Sequence, residues 1–122
     1  MKKTILVVDD SLTLREVVQD LLSHAGFDVL QAEDAPAALA LMDGRKLHLI
    51  LCDLYMPGQN GLSLIQQVKQ LPAYKFTPVI MLTTEHSEEF RLQAYQAGIK
   101  AWVTKPFSPH QLLTAVNKLI SS

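Results

Sequence analysis

Twelve acidic residues are spread through the 122, and three of them stand where chemistry is possible. Asp9-Asp10 follows the apolar run Ile5–Val8, and Asp53 follows the apolar run Leu47–Cys52. Thr83-Thr84 closes a third run, Val79–Leu82, and Thr104-Lys105-Pro106 follows a fourth, Ala101–Val103. If these runs are neighbouring strands, three carboxylates, a hydroxyl and one ammonium meet at one rim. Two carboxylates about 4 Å apart repel by roughly 4 kcal/mol at an effective dielectric near 20. Lys105, the one base expected nearby, does not balance three of them. A hard divalent cation does, and Mg²⁺ takes one or two carboxylates together with waters and a phosphate.

A carboxylate is ionised at neutral pH and is a nucleophile without a general base. Phosphoryl transfer asks chiefly for in-line positioning and charge neutralisation. Asp53 lies on a different strand from the acidic pair, with Tyr55-Met56-Pro57-Gly58 turning behind it. It is the expected nucleophile. Asp9 and Asp10 are the expected metal holders, and Lys105 and the Thr83 hydroxyl are placed to meet phosphoryl oxygens.

The elements that must position these residues are legible as an alternation. The four apolar runs are dense in aliphatic residues, as parallel strands covered on both faces are. Phe27–Ala32 mixes apolar with polar and reads as an edge strand. Between them, Leu14, Val17, Val18, Leu21, Leu22 and Ala25 follow helical spacing, stopped by Gly26. Asp34-Ala35-Pro36 opens a second helix that Gly44 is expected to close. Gly61 to Leu71 is a third, with Leu62, Ile65 and Val68 on one stripe. Ser87 is the expected cap of a fourth, followed by Glu88 and Glu89 and ended by Gly98. Ser108-Pro109-His110-Gln111 reads as a capping box for a fifth, whose stripe is Leu112, Leu113, Val116, Leu119 and Ile120. Five strands and five helices in strict alternation make an α/β open parallel sheet with helices on both faces. Five units are too few for the eight-unit barrel. In open sheets of this kind sites form at the carboxyl ends of the strands, where the acids stand.

Composition narrows the function classes. Apolar residues are 48% and charged residues 19%, which excludes a disordered chain. A net charge of −1 gives no reason to expect nucleic acid or a membrane surface as partner. One cysteine, Cys52, excludes a disulfide framework. The apolar run after Lys2-Lys3-Thr4 is too short for a secretory core, and nothing approaches a membrane span. A cytoplasmic protein of one domain, residues 1–122, is the expectation.

In order and at these spacings, Val7-Val8-Asp9-Asp10-Ser11, Asp53-Leu54-Tyr55-Met56-Pro57-Gly58, Gly61, Val79–Thr83, Gly98 and Lys105-Pro106-Phe107 cover nearly the whole chain. With them the sequence resembles the receiver domain of two-component response regulators, especially the stand-alone chemotaxis-type kind without an output domain. The resemblance implies a flavodoxin-like (βα)5 three-layer sandwich with sheet order 2-1-3-4-5. It implies that Asp53 accepts a phosphoryl group from a sensor histidine kinase or phosphotransfer protein. Mg²⁺ would be held by Asp10, Asp53 and the Tyr55 backbone carbonyl, with Asp9 helping through water. Thr83 and Lys105 would bind the phosphoryl group, and the Lys105–Pro106 bond is often cis in the family. Output would leave through helix four, strand five and helix five to a downstream protein, from a monomer that catalyses only its own phosphorylation and dephosphorylation. By the same resemblance, Tyr55 and Glu85 would stand at the positions that tune the acyl-phosphate lifetime in the family. Trp102 departs from the family's usual Tyr or Phe. Its larger indole is expected to stay largely on one side rather than switch with Thr83.

Rival readings fit less well. A haloacid dehalogenase-type phosphatase needs an alternating acidic pair after the first strand and room for a cap domain. A flavin binder needs a Ser/Thr/Gly-rich phosphate loop where Asp9-Asp10 stands. A receiver-like module that no longer accepts phosphate has no need of the full set of acids, threonine and lysine. Cys52 is read as a small buried apolar residue, and His24, His48, His86 and His110 as non-ligands.

Overall fold

A computed structural model describes residues 2–120. In chain order it runs β1 (Thr4–Val8), α1 (Leu12–His24), β2 (Asp28–Ala32), α2 (Ala35–Ala40), β3 (Leu49–Cys52), α3 (Gly61–Gln70), β4 (Val79–Thr83), α4 (Glu88–Ala97), β5 (Ala101–Thr104) and α5 (Pro109–Ile120). The five strands form one sheet in the order β2-β1-β3-β4-β5, every pair parallel. This is the flavodoxin-like arrangement expected, with β2 and β5 as edges.

Alternation along the strands divides the core in two. Ile5, Val7, Leu49, Leu51, Ile80 and Leu82 pack against Val18 and Leu22 of α1 and Leu112, Val116 and Ile120 of α5. Leu6, Val8, Ile50, Cys52 and Met81 face the other way, onto α2, α3 and α4 through Ala35, Ala38, Leu64, Ile65, Val68 and Ala94. Both faces of the central strands are therefore buried, which is why their sequences read as continuous apolar runs. Each fully buried Leu or Ile contributes roughly 1.5–3 kcal/mol relative to exposure.

The helix ends follow local hydrogen bonding. The Ser11 hydroxyl accepts the Leu14 N–H, Asp34 accepts from Ala37 and Asn60 from Ser63. At α5 the capping box is reciprocal: the Gln111 side chain accepts the Ser108 N–H at 2.8 Å, and the Ser108 hydroxyl accepts the Gln111 N–H at 3.1 Å. Two expectations are corrected. Helix α2 stops at Ala40, short of Gly44, because Leu41 and Met42 tighten into bonds to the carbonyls of Ala38 and Leu39. The Tyr74 hydroxyl then accepts the Gly44 N–H, and Gly44 serves a loop turn at φ +102° instead of a helix end. Ser87 stands at the N-cap of α4 but its hydroxyl caps nothing; its own N–H is held by the Glu85 carboxylate at 2.9 Å.

Candidate functional site

Three residues of the rim are held by the sheet itself. The N–H of Asp9 donates to Ala32 O at 3.0 Å, that of Asp53 to Val8 O at 3.0 Å, and that of Lys105 to Thr83 O at 2.8 Å. Each is the residue just beyond its strand, and each extends the ladder by one bond. Their backbones thus inherit the rigidity of the sheet, while their side chains emerge where pairing ends.

The side chains converge. Asp9, Asp10 and Asp53 each offer a carboxylate oxygen within 4.8 Å of the others. The Lys105 ammonium bridges two of them, at 2.7 Å from Asp9 Oδ2 and 3.2 Å from Asp53 Oδ2. Asp9 is 2% exposed and Asp53 7%, whereas Asp10 faces solvent. Asp9 Oδ1 accepts the Ser11 N–H at 2.9 Å, and Asp53 Oδ1 accepts the Tyr55 N–H at 3.3 Å. One ammonium against three carboxylates leaves excess negative charge in a poorly hydrated place. The donor set is all oxygen, the chemistry of a hard cation that keeps several waters, so these residues fit Mg²⁺. No histidine or cysteine belongs to the metal-competent group found among the described residues.

The surroundings are equally specific. A Cβ on Gly61 would lie 2.2 Å from the Asp53 carbonyl oxygen, a distance no real Cβ tolerates. The first turn of α3 is thus pressed onto the backbone of Asp53, and the Gly61 N–H bonds Leu54 O at 2.7 Å. Thr83 is fully buried at the end of β4, and its hydroxyl accepts the Glu85 N–H at 3.3 Å. Accepting leaves its O–H free to donate elsewhere. The Tyr55 hydroxyl donates to Glu85 Oε1, tying the loop after β3 to the loop after β4. This bond holds the Glu85 carboxyl below its usual range and pushes the Tyr55 phenol up. The Lys105–Pro106 peptide is cis.

Not every expected residue joins the cluster. Trp102 lies on the α4 side of β5, opposite in orientation to Ala101 and Val103, and is 9% exposed. Its indole N–H is buried with no hydrogen-bond partner among the described residues. Cys52 is fully buried, and burial pushes its thiol well up, which keeps it an inert apolar neighbour of Asp53. Lys105 is not the sole base at the rim: Arg15 of α1 donates from Nη1 to the Asp9 carbonyl at 2.6 Å. The available signal was its position, a cation near the start of a helix, where the dipole disfavours one.

Comparison with known proteins agrees with this geometry. Residues 5–117 match the family described as response regulator receiver domain. The chemotaxis protein CheY1 of Helicobacter pylori is 37% identical over 110 residues, covering 88% of this chain and 89% of that protein. The phosphate regulon transcriptional regulatory protein PhoB of Pseudomonas aeruginosa is 36% identical over 118 residues, covering 97% of this chain and 52% of that protein. The chain therefore spans about half the length of PhoB-type relatives. Among solved structures, Vibrio cholerae chemotaxis protein CheY4 superposes with a TM-score of 0.93 at 35% identity, over 98% of this chain and 99% of that one.

Proposed function

This chain belongs to the response regulator receiver domain family, and from that membership we propose that Asp53 is the residue that takes the phosphoryl group. The observation that carries the reading is the position of its carboxylate, 3.2 Å from Lys105 and grouped with Asp9 and Asp10. In the transfer, a carboxylate oxygen of Asp53 forms a bond to phosphorus as the P–N bond of a kinase or phosphotransfer-protein phosphohistidine breaks. The imidazole leaves with the electron pair. Asp10, Asp53 and the Tyr55 carbonyl would hold Mg²⁺, with Asp9 acting through water. When bound, the cation supplies neutralisation of the charge on the transferring group.

The chain's own residues do the rest. Lys105, 16% exposed at its side chain, presents a poorly hydrated ammonium to the phosphoryl oxygens. Thr83 offers its O–H to the same group while continuing to accept from Glu85. Drawing Thr83 toward the phosphoryl group pulls on Glu85, and through it on Tyr55 and the Ser87 start of α4. That chain of bonds couples the charge at Asp53 to the surface of α4, β5 and α5, from which the signal leaves through contact with a downstream protein or onward transfer. The reaction is confined to the domain's own phosphorylation and dephosphorylation. No helix among the described residues is long and apolar enough to cross a membrane, and a cytoplasmic place beside its kinase suits this role.

Incubation with Mg²⁺ and phosphoramidate, read by intact-protein mass, should add one phosphoryl group to wild type and none to Asp53→Ala. Labelling that persists in Asp53→Ala assigns the nucleophile elsewhere.

A further inference from the structure

Arg15 lies four residues past the Ser11 cap of α1, and its guanidinium folds back over the end of β1. Nη1 donates to the Asp9 carbonyl oxygen at 2.6 Å, and Nε donates to Gln31 Oε1 on β2 at 3.0 Å. The Gln31 amide in turn donates to Gln19 Oε1 of α1. One planar fork thus joins α1, β1 and β2 at the point where the acidic pair begins. The oxygen it holds belongs to the peptide between Asp9 and Asp10.

That peptide matters because the two acids are fixed unequally. Asp9 is held at its N–H by Ala32, at Oδ1 by Ser11 and at Oδ2 by Lys105. The Asp10 carboxylate is exposed and makes no side-chain hydrogen bond among the described residues. Its direction is therefore set by its backbone, and the Asp9–Asp10 peptide is part of that backbone. We propose that Arg15 is a positioning residue for the cation site: by clamping the Asp9 carbonyl it fixes the direction in which Asp10 presents its carboxylate. The inference rests on the Mg²⁺ reading above and assigns Arg15 no contact with the ion.

The sign of one measurement separates this role from a purely electrostatic one. Arg15 carries positive charge beside a site for a cation, so charge alone opposes binding. Removing it then tightens Mg²⁺. Removing a clamp weakens Mg²⁺, by about tenfold for a supporting partner of a metal ligand. Titration calorimetry with Mg²⁺ alone should show weaker binding by about tenfold in both Arg15→Gln, which loses charge and fork, and Arg15→Lys, which keeps the charge. Gln31→Leu, which leaves the charge untouched and frees the fork at one end, should weaken binding in the same direction by less. Binding in Arg15→Gln as tight as wild type or tighter overturns the proposal. Amide hydrogen exchange in metal-free protein supplies a second readout: Ser11, whose N–H is held by Asp9 Oδ1, should exchange faster in both Arg15 variants, while the centre of β3 exchanges as in wild type. Unchanged exchange at the Ser11 amide also overturns it. Failure of wild type to bind Mg²⁺ overturns the metal reading itself, and is distinguished because the wild-type titration is then flat.

Discussion

Asp10 is the acid at the rim with the least holding it and the most to gain from neutralisation. Its carboxylate lies within 4.8 Å of those of Asp9 and Asp53, and on the solvent side such repulsion is about 1 kcal/mol or less per pair. Asp10→Asn should therefore raise the metal-free melting temperature while weakening Mg²⁺ binding, both read by thermal melts across a Mg²⁺ titration. A lower metal-free melting temperature contradicts the crowding of charge. The Tyr55–Glu85 bond makes a different test of the same rim. Tyr55→Phe removes the donor that lowers the Glu85 carboxyl, so its midpoint, followed by NMR, should move up toward the ordinary carboxylate range. A stationary midpoint means the two side chains do not meet in solution.

At the scale of elements, α3 owes its approach to a missing methyl. Because a Cβ at position 61 meets the Asp53 carbonyl at 2.2 Å, Gly61→Ala forces helix and loop apart. A loss of roughly 2–3 kcal/mol in denaturant unfolding is expected, together with reduced phosphorylation at Asp53. Unaltered stability would contradict the close approach of Gly61 to the Asp53 carbonyl. The start of β1 carries a pH response. His48 Nδ1 accepts the Thr4 N–H at 2.9 Å, and burial first, then Lys46 and Lys3, lower the folded pKa of its imidazole. The unfolded chain binds the proton more readily, so this contribution is complete above the unfolded value near 6.5 and is lost as pH falls below it. His48→Asn keeps an acceptor and removes the titration. Its unfolding free energy should fall less than wild type's between pH 7.5 and 5, measured by urea denaturation; equal falls contradict it.

The elements also show where sequence stopped being sufficient. Strands were legible because both faces are buried, and α5 because Ser108 and Gln111 satisfy each other locally. Gly44 misled because the group that uses its N–H is Tyr74, thirty positions away. Ser87 misled because a carboxylate two residues earlier takes its amide. Glycine and serine announce a turn or a cap by type; tertiary partners decide which.

On the whole molecule the same division holds for the site. Asp9, Asp10, Asp53 and Lys105 were legible because strand ends in an open parallel sheet share one rim, and the ladder bonds of three of them confirm that rim. Arg15 was not, because its role runs through a main-chain carbonyl and through Gln31 on a neighbouring strand. Trp102 stands on an edge strand, yet its indole lies beside Met81 in the α4-facing core that also holds Ala94.

Asp53 should become an acyl phosphate. Protein treated with Mg²⁺ and phosphoramidate and then reduced with borohydride should carry homoserine at position 53, located by tandem mass spectrometry of its peptides. Homoserine at position 9 or 10, or aspartate left intact at all three while phosphate is retained elsewhere, would contradict it.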